Sequence, residues 1–131
     1  MKKETFYNGL KEPCMIRYTI LECRFFRIAI HKFITADSER PMHDHPCNMW
    51  SFIFKGSYTE EYKESQNGIT ITRAKTFTAP TIRRIPAEHI HRIIHTEPAW
   101  SIIFSTPSFR EWGFHTEKQG WVQWEQFYGE R

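Results

Sequence analysis

The sequence has little with which to cross-link itself, span a bilayer or wrap a nucleic acid. Its three cysteines, Cys14, Cys23 and Cys47, are odd in number and share no Cys-x-x-Cys spacing. They read as reduced thiols, which makes the cytoplasm the expected compartment. No apolar run approaches the ~20 residues that a membrane helix needs, so no membrane partner is expected. The charged start Met1-Lys2-Lys3-Glu4-Thr5 is followed by no h-region or small-residue cleavage site, so export is not expected either. The net charge is only +3, with basic and acidic residues interspersed, which excludes the basic stripe of an electrostatic nucleic-acid binder. There is no internal repeat, no low-complexity segment and no long helical period.

What is present is a chain of 131 residues, 40% hydrophobic and 16% aromatic, enough for one domain with one core. Residues 1–23 carry no clear period and read as an N-terminal arm, or a short helix or strand, lying on the main body. From Arg24 to Ile34 the residues are β-branched and aromatic, with Phe26, Ile28 and Ile30 on one face and Arg27, Ala29, His31 and Phe33 on the other. The stretch 35–41 is loop chemistry. Met49–Lys55 is a strand, Gly56 a turn or bulge, and Ser57–Lys63 extended, with Tyr58, Glu60 and Tyr62 on one side. Asn67-Gly68 marks a hairpin before Ile69–Arg73, and 74–80 is a connection. Short strands follow at 81–85, 89–95 and 99–105, the last two divided by Pro98. The tail, 108–131, is very aromatic. About eight short strands with regular turn signals predict an all-β sandwich or barrel spanning 24–107, in a single domain 1–131.

The chemistry gathers at histidine. His43-Asp44-His45 sits between Pro41 and Pro46, and alternate residues of an extended segment share a face. His43 and His45, about 6–7 Å apart at Cα, can therefore face one centre while Asp44 faces away. A second pair, His89-Ile90-His91, lies further on. His89 is open to two roles: a fourth ligand that would close the site, or a pocket residue that hydrogen-bonds ligand or water. His31 and His115 read as ordinary surface or packed histidines.

These stretches resemble the two motifs of the cupin family. The first is His-x-His, three or four residues, Glu, six residues, Gly; here it is His43-x-His45 with Gly56 at matching distance. The second is Pro-x-Gly-x-x-His, matched by Pro86 to His91 with Glu88 in place of Gly. More narrowly, His-Asp-His-Pro, Gly56-Ser57-Tyr58-Thr59-Glu60-Glu61, His89-x-His91-Arg92, Arg110-Glu111-Trp112-Gly113-Phe114 and Gly120-Trp121-Val122-x-Trp124 resemble small single-domain cupins of bacteria and their phages. That group carries no established reaction.

The resemblance implies a double-stranded β-helix, or jelly-roll barrel, with one transition-metal ion on His43, His45 and His91. Ligand type alone leaves Fe(II), Zn, Ni, Mn and Cu open. The Glu of the first motif falls at Met49 or Trp50, neither of which can donate an oxygen. A three-His site remains, as in the thiol dioxygenases of the same superfamily.

Met49, Trp50, Tyr58, Glu60, Arg83 and Phe104 are the candidate lining of a ligand pocket. Of Arg83 and Arg84 only one can face inward, either to hold an anionic ligand or to pair with Glu60 or Glu61. Cys47 could lie at the pocket mouth or serve as a small hydrophobe in a wall.

The leading expectation is a metal-binding cupin that binds a small organic molecule and acts on it, by dioxygenase-type chemistry. The alternatives are a non-catalytic barrel that sequesters a metabolite or nucleotide-like signal, and a structural or assembly protein. A homodimer is expected, through the tail tryptophans or edge to edge.

Overall fold

The computed structural model describes residues 1–38 and 40–129. Glu39 of the predicted loop and residues 130–131 of the predicted tail lie outside the described residues. The chain forms β1 (Lys2–Tyr7), β2 (Pro13–Glu22), β3 (Arg27–Phe33), β4 (Met42–His43), β5 (Met49–Gln66), β6 (Ile69–Thr78), β7 (Thr81–Ile85), β8 (His91–Ser105), β9 (Gly113–Thr116), β10 (Gly120–Gln123) and a short α1 (Trp124–Gly129). Every strand pairing among the described residues is antiparallel, and the sheet curls into a half-barrel in the order β1-β2-β3-β8-β4-β9-β10, with β5 joining β6, β7 and β8. No helix among these residues is long and apolar enough to cross a membrane.

Two long strands, β5 and β8, carry the architecture. In the first half of β5, Ser51 and Ile53 point inward and are buried, while Trp50, Phe52 and Phe54 point out. A regular strand would continue that alternation and send Tyr58 and Glu60 outward. It does not, because the β5–β8 register shifts between Ile53 and Lys55 and again between Lys55 and Ser57. Gly56 sits in this bulge at φ +75°, packed so closely on the Glu97–Pro98 backbone that an added Cβ would lie 2.0 Å from the Pro98 carbonyl oxygen. The bulge flips the parity of β5. Beyond it Tyr58 and Glu60 are buried at 2% and 1% exposure. Tyr58 joins Ile53, Ile93 and Ala99 in the core, with Phe33 and Phe77 against them.

The same bulge explains why Pro98 does not end a strand. It has no ladder partner opposite Gly56, so its missing N–H costs nothing, and 91–105 runs as one strand rather than two. The expected connection at 74–80 is mostly strand as well, because β6 pairs with β5 as far as Ser57–Thr78. Of the readings open for the N-terminal segment, the structure shows strand. β1 and β2 extend the main sheet, and a bulge between Thr19 and Leu21 breaks the alternation that would have made β2 readable. The aromatic tail is also built in, as the β9–β10 hairpin and α1.

On the inner face of β3, His31 is buried. Burial first, then the nearby Arg17 and Arg27 charges, push its imidazole down to about 3. The folded state therefore holds it neutral at a pH where the unfolded chain, near 6.5, takes up a proton. Its contribution to stability is present above about 6.5 and is lost as pH falls from there toward 3. His31→Gln should flatten the acid limb of the melting-temperature profile between those values. An unchanged slope would refute the assignment. Gly56→Ala should cost more than about 2 kcal/mol in urea unfolding, from positive φ plus the clash. Gly68→Ala, at φ +79° but in open space, should cost about 1 kcal/mol.

Candidate metal centre

Two loops bring the histidine stretches together. His43 ends β4 and pairs across the ladder with His91, which opens β8. The His45 amide donates to the Ala87 carbonyl at 2.9 Å, and the Ala87 amide donates to Asn48 Oδ1 at 2.8 Å. Ala87 is fully buried, so these bonds satisfy backbone groups that water cannot reach. The result is a triangle of rings, with centroids 5.3 Å apart for His43–His45, 5.0 Å for His43–His91 and 4.8 Å for His45–His91.

The three side chains each offer a ring nitrogen within 4.8 Å of the others. His45 Nε2 and His91 Nε2 face each other at 3.1 Å. Two imidazole ligands at metal–nitrogen bonds of 2.0–2.1 Å in a tetrahedron would stand about 3.3 Å apart, so the spacing suits one ion. Burial first, then the neighbouring imidazoles, hold His43 and His45 well below the usual histidine range and therefore neutral, the state that ligates. Among the described residues His43 Nδ1 is buried with no hydrogen-bond partner, as a nitrogen free for an ion would be, whereas His45 turns Nε2 to the centre and leaves its own Nδ1 without a partner behind it. The donor set fits a borderline transition metal, and His43, His45 and His91 are the residues that would hold it.

His91 is oriented from behind. Its Nδ1 donates to Glu60 Oε1 at 2.7 Å, which leaves Nε2 facing the other two rings. Glu60 also accepts from His89 Nε2 at 2.8 Å and from Arg83 at 2.7 and 3.1 Å. Arg83 reaches Tyr58 Oη at 3.0 Å and lies over the Phe77 ring at 3.9 Å. Burial alone would raise the Glu60 carboxyl, but the bonds from His89, His91 and Arg83 outweigh it and hold it well below the carboxylate range. Glu60, His89 and His91 form a second group with ligating atoms near one another. The Arg83 guanidinium already neutralises Glu60 there, which makes that group the poorer cation site.

Of the expected pocket residues, the structure gathers Tyr58, Glu60 and Arg83 around His89 and His91. The inward arginine is Arg83, and it pairs with Glu60 rather than standing free. Glu60 is inward but saturated, which disqualifies it as a general base at neutral pH. Met49 faces the inner side in register with Ser105 and Ile85, a row that contains none of the histidines. Trp50 and Phe104 do not line a pocket. They are 40% and 41% exposed on the outer face, because Ser51 and Ser105 take the inward positions on either side of them in parity. His89 points its Nε2 at Glu60 and is not one of the three convergent histidines. Cys47 is a buried wall residue whose thiol is pushed up by burial, the opposite of a reactive thiolate.

Asp44 has a role that reading the sequence did not assign. Turned away from the rings, it is buried and accepts from the Gly113 amide at 2.8 Å, Trp121 Nε1 at 3.1 Å, His115 Nε2 at 3.2 Å and Arg110 at 3.3 Å. This carboxylate ties the tail to the loop that carries His43 and His45. The tail in turn walls the site, with Trp112 and Phe114 each edge-on to His43 at 6.0 Å and Trp112 stacked on Trp124. The signal for it was the tail motif from Arg110 to Trp121, whose residues converge on one aspartate. Asp44→Ala should cost about 1–3 kcal/mol, chiefly from stranding the buried Gly113 amide while the more exposed Arg110, His115 and Trp121 turn to water, and should lower metal affinity by moving both flanking histidines. Thermal unfolding with and without added zinc separates the two effects, and a stability loss below 1 kcal/mol would contradict the first.

No family model matches this chain, and no curated protein matches it significantly. Solved structures do. One is a proposed mannose-6-phosphate isomerase from Ralstonia eutropha, 19% identical, with a TM-score of 0.57 over 76% of this chain and 88% of that one. DMSP lyase DddQ from Ruegeria pomeroyi is 12% identical, with a TM-score of 0.61 over 88% of this chain and 58% of that one. Fe(II)-HppE, solved with the alternative substrate (S)-1-HPP, is 7% identical, with a TM-score of 0.60 over 80% of this chain and 55% of that one. The chain thus spans little more than half the length of the last two. Likeness at these identities speaks to architecture alone, and the architecture is the cupin jelly-roll fold.

Proposed function

We propose that this protein is a metal-dependent cupin that holds one divalent transition-metal ion on His43, His45 and His91 and acts on a small organic molecule in the half-barrel. The observation that carries the reading is the set of three convergent rings whose ligating nitrogens lie within 4.8 Å of one another, two of them held neutral and the third fixed by a buried carboxylate. Three protein ligands leave positions open, the arrangement of a catalytic rather than a structural site.

A bound ion would supply Lewis-acid polarisation of a substrate oxygen or, as iron, dioxygenase-type chemistry. The protein's own part is positional. Glu60 keeps the His91 proton on Nδ1 and aims Nε2 inward. Tyr58 stays a neutral hydroxyl, because burial raises its phenol against the pull of Arg83. His89, with 18% of its side chain exposed beside Tyr62, is the group of this cluster that can exchange a proton with a ligand. Trp112 and Phe114 exclude water from the His43 side. The resemblance to thiol dioxygenases supports an oxygen-dependent reaction, and Fe(II)-HppE, which shares the fold, holds iron and a small-molecule substrate. Three unpaired cysteines support the cytoplasm as the working compartment.

Protein purified without chelator should contain close to one divalent metal per chain by mass spectrometry. His45→Ala and His91→Ala should abolish loading, while Glu60→Gln should weaken affinity 10–100-fold without abolishing it. Loaded protein should consume a metabolite from a cell extract in air and not under nitrogen. Wild type without metal after reconstitution, or histidine variants that load as well as wild type, would end the proposal. Loading without turnover, but with retention of a metabolite, would favour a sequestering barrel.

A further inference from the structure

The part-buried arginines of this protein close on carboxylates. Arg17 meets Glu4 at 2.9 Å, Arg40 meets Asp37 at 2.8 Å, Arg83 meets Glu60 at 2.7 Å and Arg92 meets Glu61 at 2.8 Å. Arg27 breaks the pattern. It opens β3 on the inner face, between Glu22 of β2 and the buried Ser105 of β8. Its side chain is 24% exposed, and the one carboxylate in ion-pair reach among the described residues, Glu22, stands 3.7 Å from Nη1. That separation is too long for a hydrogen bond. Arg27 Nε is buried without a partner, and among the described residues the guanidinium makes no hydrogen bond. A cleft of about 50 Å³ adjoins it, between the β2–β3 turn and the segment after β8, lined by Arg27 with Glu22, Cys23, Phe26, Thr106 and Ser108. None of the metal-centre histidines lines this cleft.

We infer that the cleft is a binding site for a small oxyanion, a carboxylate or a phosphate, held by the Arg27 guanidinium. The donor chemistry selects the ligand. A planar fork of five N–H groups matches two oxygens of one anion, and such bidentate pairs are the strong charge-assisted bonds. Donors left unmet in a part-buried place cost free energy, which an anion in the cleft would offset. Water meets such donors but leaves the charge unanswered. The local field has the right sign. Burial first, then the Arg17 charge, lower the Arg27 guanidinium from its ordinary value, and both charges act on His31. The acids beside these two cations, Glu4 and Glu22, are 30% and 58% exposed, so solvent screens them. Positive charge on the inner face is therefore only partly compensated. The size fits as well. One water needs about 10–15 Å³ of such space, so the cleft admits the few oxygens of a carboxylate or phosphate. A larger metabolite would enter by its anionic end alone.

The test is titration of the isotope-labelled full chain, followed by NMR at constant ionic strength, with sodium phosphate, sodium acetate and sodium chloride as probes. In wild type the Arg27 Nε–H resonance should move and saturate at millimolar phosphate or acetate, and should not saturate with chloride. Arg27→Gln should lose at least about tenfold in affinity. Arg27→Lys keeps the charge without the fork, should lose affinity in the same direction, and carries the test if the glutamine variant fails to fold. Glu22→Gln should bind several-fold more tightly, because it removes the carboxylate that competes for the fork. Arg24→Gln, from the same turn, where Arg24 lies over Phe25 at 5.0 Å, should bind as wild type does. Whichever oxyanion binds more tightly identifies the source as a phosphorylated or a carboxylic ligand. No saturable shift with either oxyanion would overturn the inference. So would an Arg27 variant that binds like wild type, or a Glu22→Gln variant that binds no more tightly. A metal ion would also take up these anions, so His45→Ala, which removes one of its ligands, is the control. Undiminished binding there assigns the anion to Arg27 whatever becomes of the proposed reaction, and loss of binding would place it on the metal instead.

Discussion

A carboxylate at 1% exposure has to be answered by donors, and Glu60 is answered by three side chains from two other segments. That requirement organises the interior. Arg83 comes from β7, His89 from the loop before β8 and His91 from the start of β8, and each is where it is because one acid sits among them. A buried ion pair adds little net stability, since desolvation offsets most of the attraction. What it fixes is geometry. With Arg83 forked on Glu60 and His91 donating to it, the imidazole has one tautomer and one orientation. Glu60 itself reaches this place only through the Gly56 bulge, because an unbroken β5 would point it outward.

The second buried acid works differently. Asp44 stands between two candidate metal ligands in sequence and on the opposite side of the strand from them. Its four donors all come from residues 110–121, so the loop of the site and the tail that encloses it are held by one side chain. The alternation of an extended strand thus serves two purposes within three residues: histidines to the interior, anchor to the other side. The backbone bonds through Ala87 complete the join to the second histidine segment.

Both faces of the half-barrel carry apolar side chains. The inner face of β8 and the first half of β5 sets Ser51, Ser101 and Ser105 among Ile53, Ile93, Ala99 and Ile103, all buried, while the outer face carries tryptophan, phenylalanine and isoleucine. Small polar residues inside leave the bulky apolar volume to the other surface. In a sheet that curls around a site with open positions, side-chain bulk cannot fill the concave side without closing it.

Much of this was legible along the chain. Turn signals and β-rich runs indicate an all-β domain, and strand alternation places His43 and His45 together and turns Asp44 away. The Asn67-Gly68 hairpin and the histidine spacings, with the cupin resemblance, point to the fold and the three-His group. Parity within a strand is local physics, and short segments display it. What the chain could not show is anything that depends on a break in parity or on a partner far away. The bulge in β5 puts Tyr58 and Glu60 on the face opposite to Trp50, whose parity they share, which is why Trp50 read as a pocket residue beside them and lies outside with its ladder partner Phe104, and the bulge in β2 hides the alternation of that strand. The three donors on Glu60 lie 23 to 31 residues from it, and the donors on Asp44 lie 66 to 77 residues away. The sequence by itself determined which residues can ligate and which face of a strand they share, since both follow from side-chain chemistry and a period of two. Only the tertiary structure decided which acid orients the site and which stays out of it, because that choice rests on where two bulges and the packing of the tail place atoms that are remote in the chain.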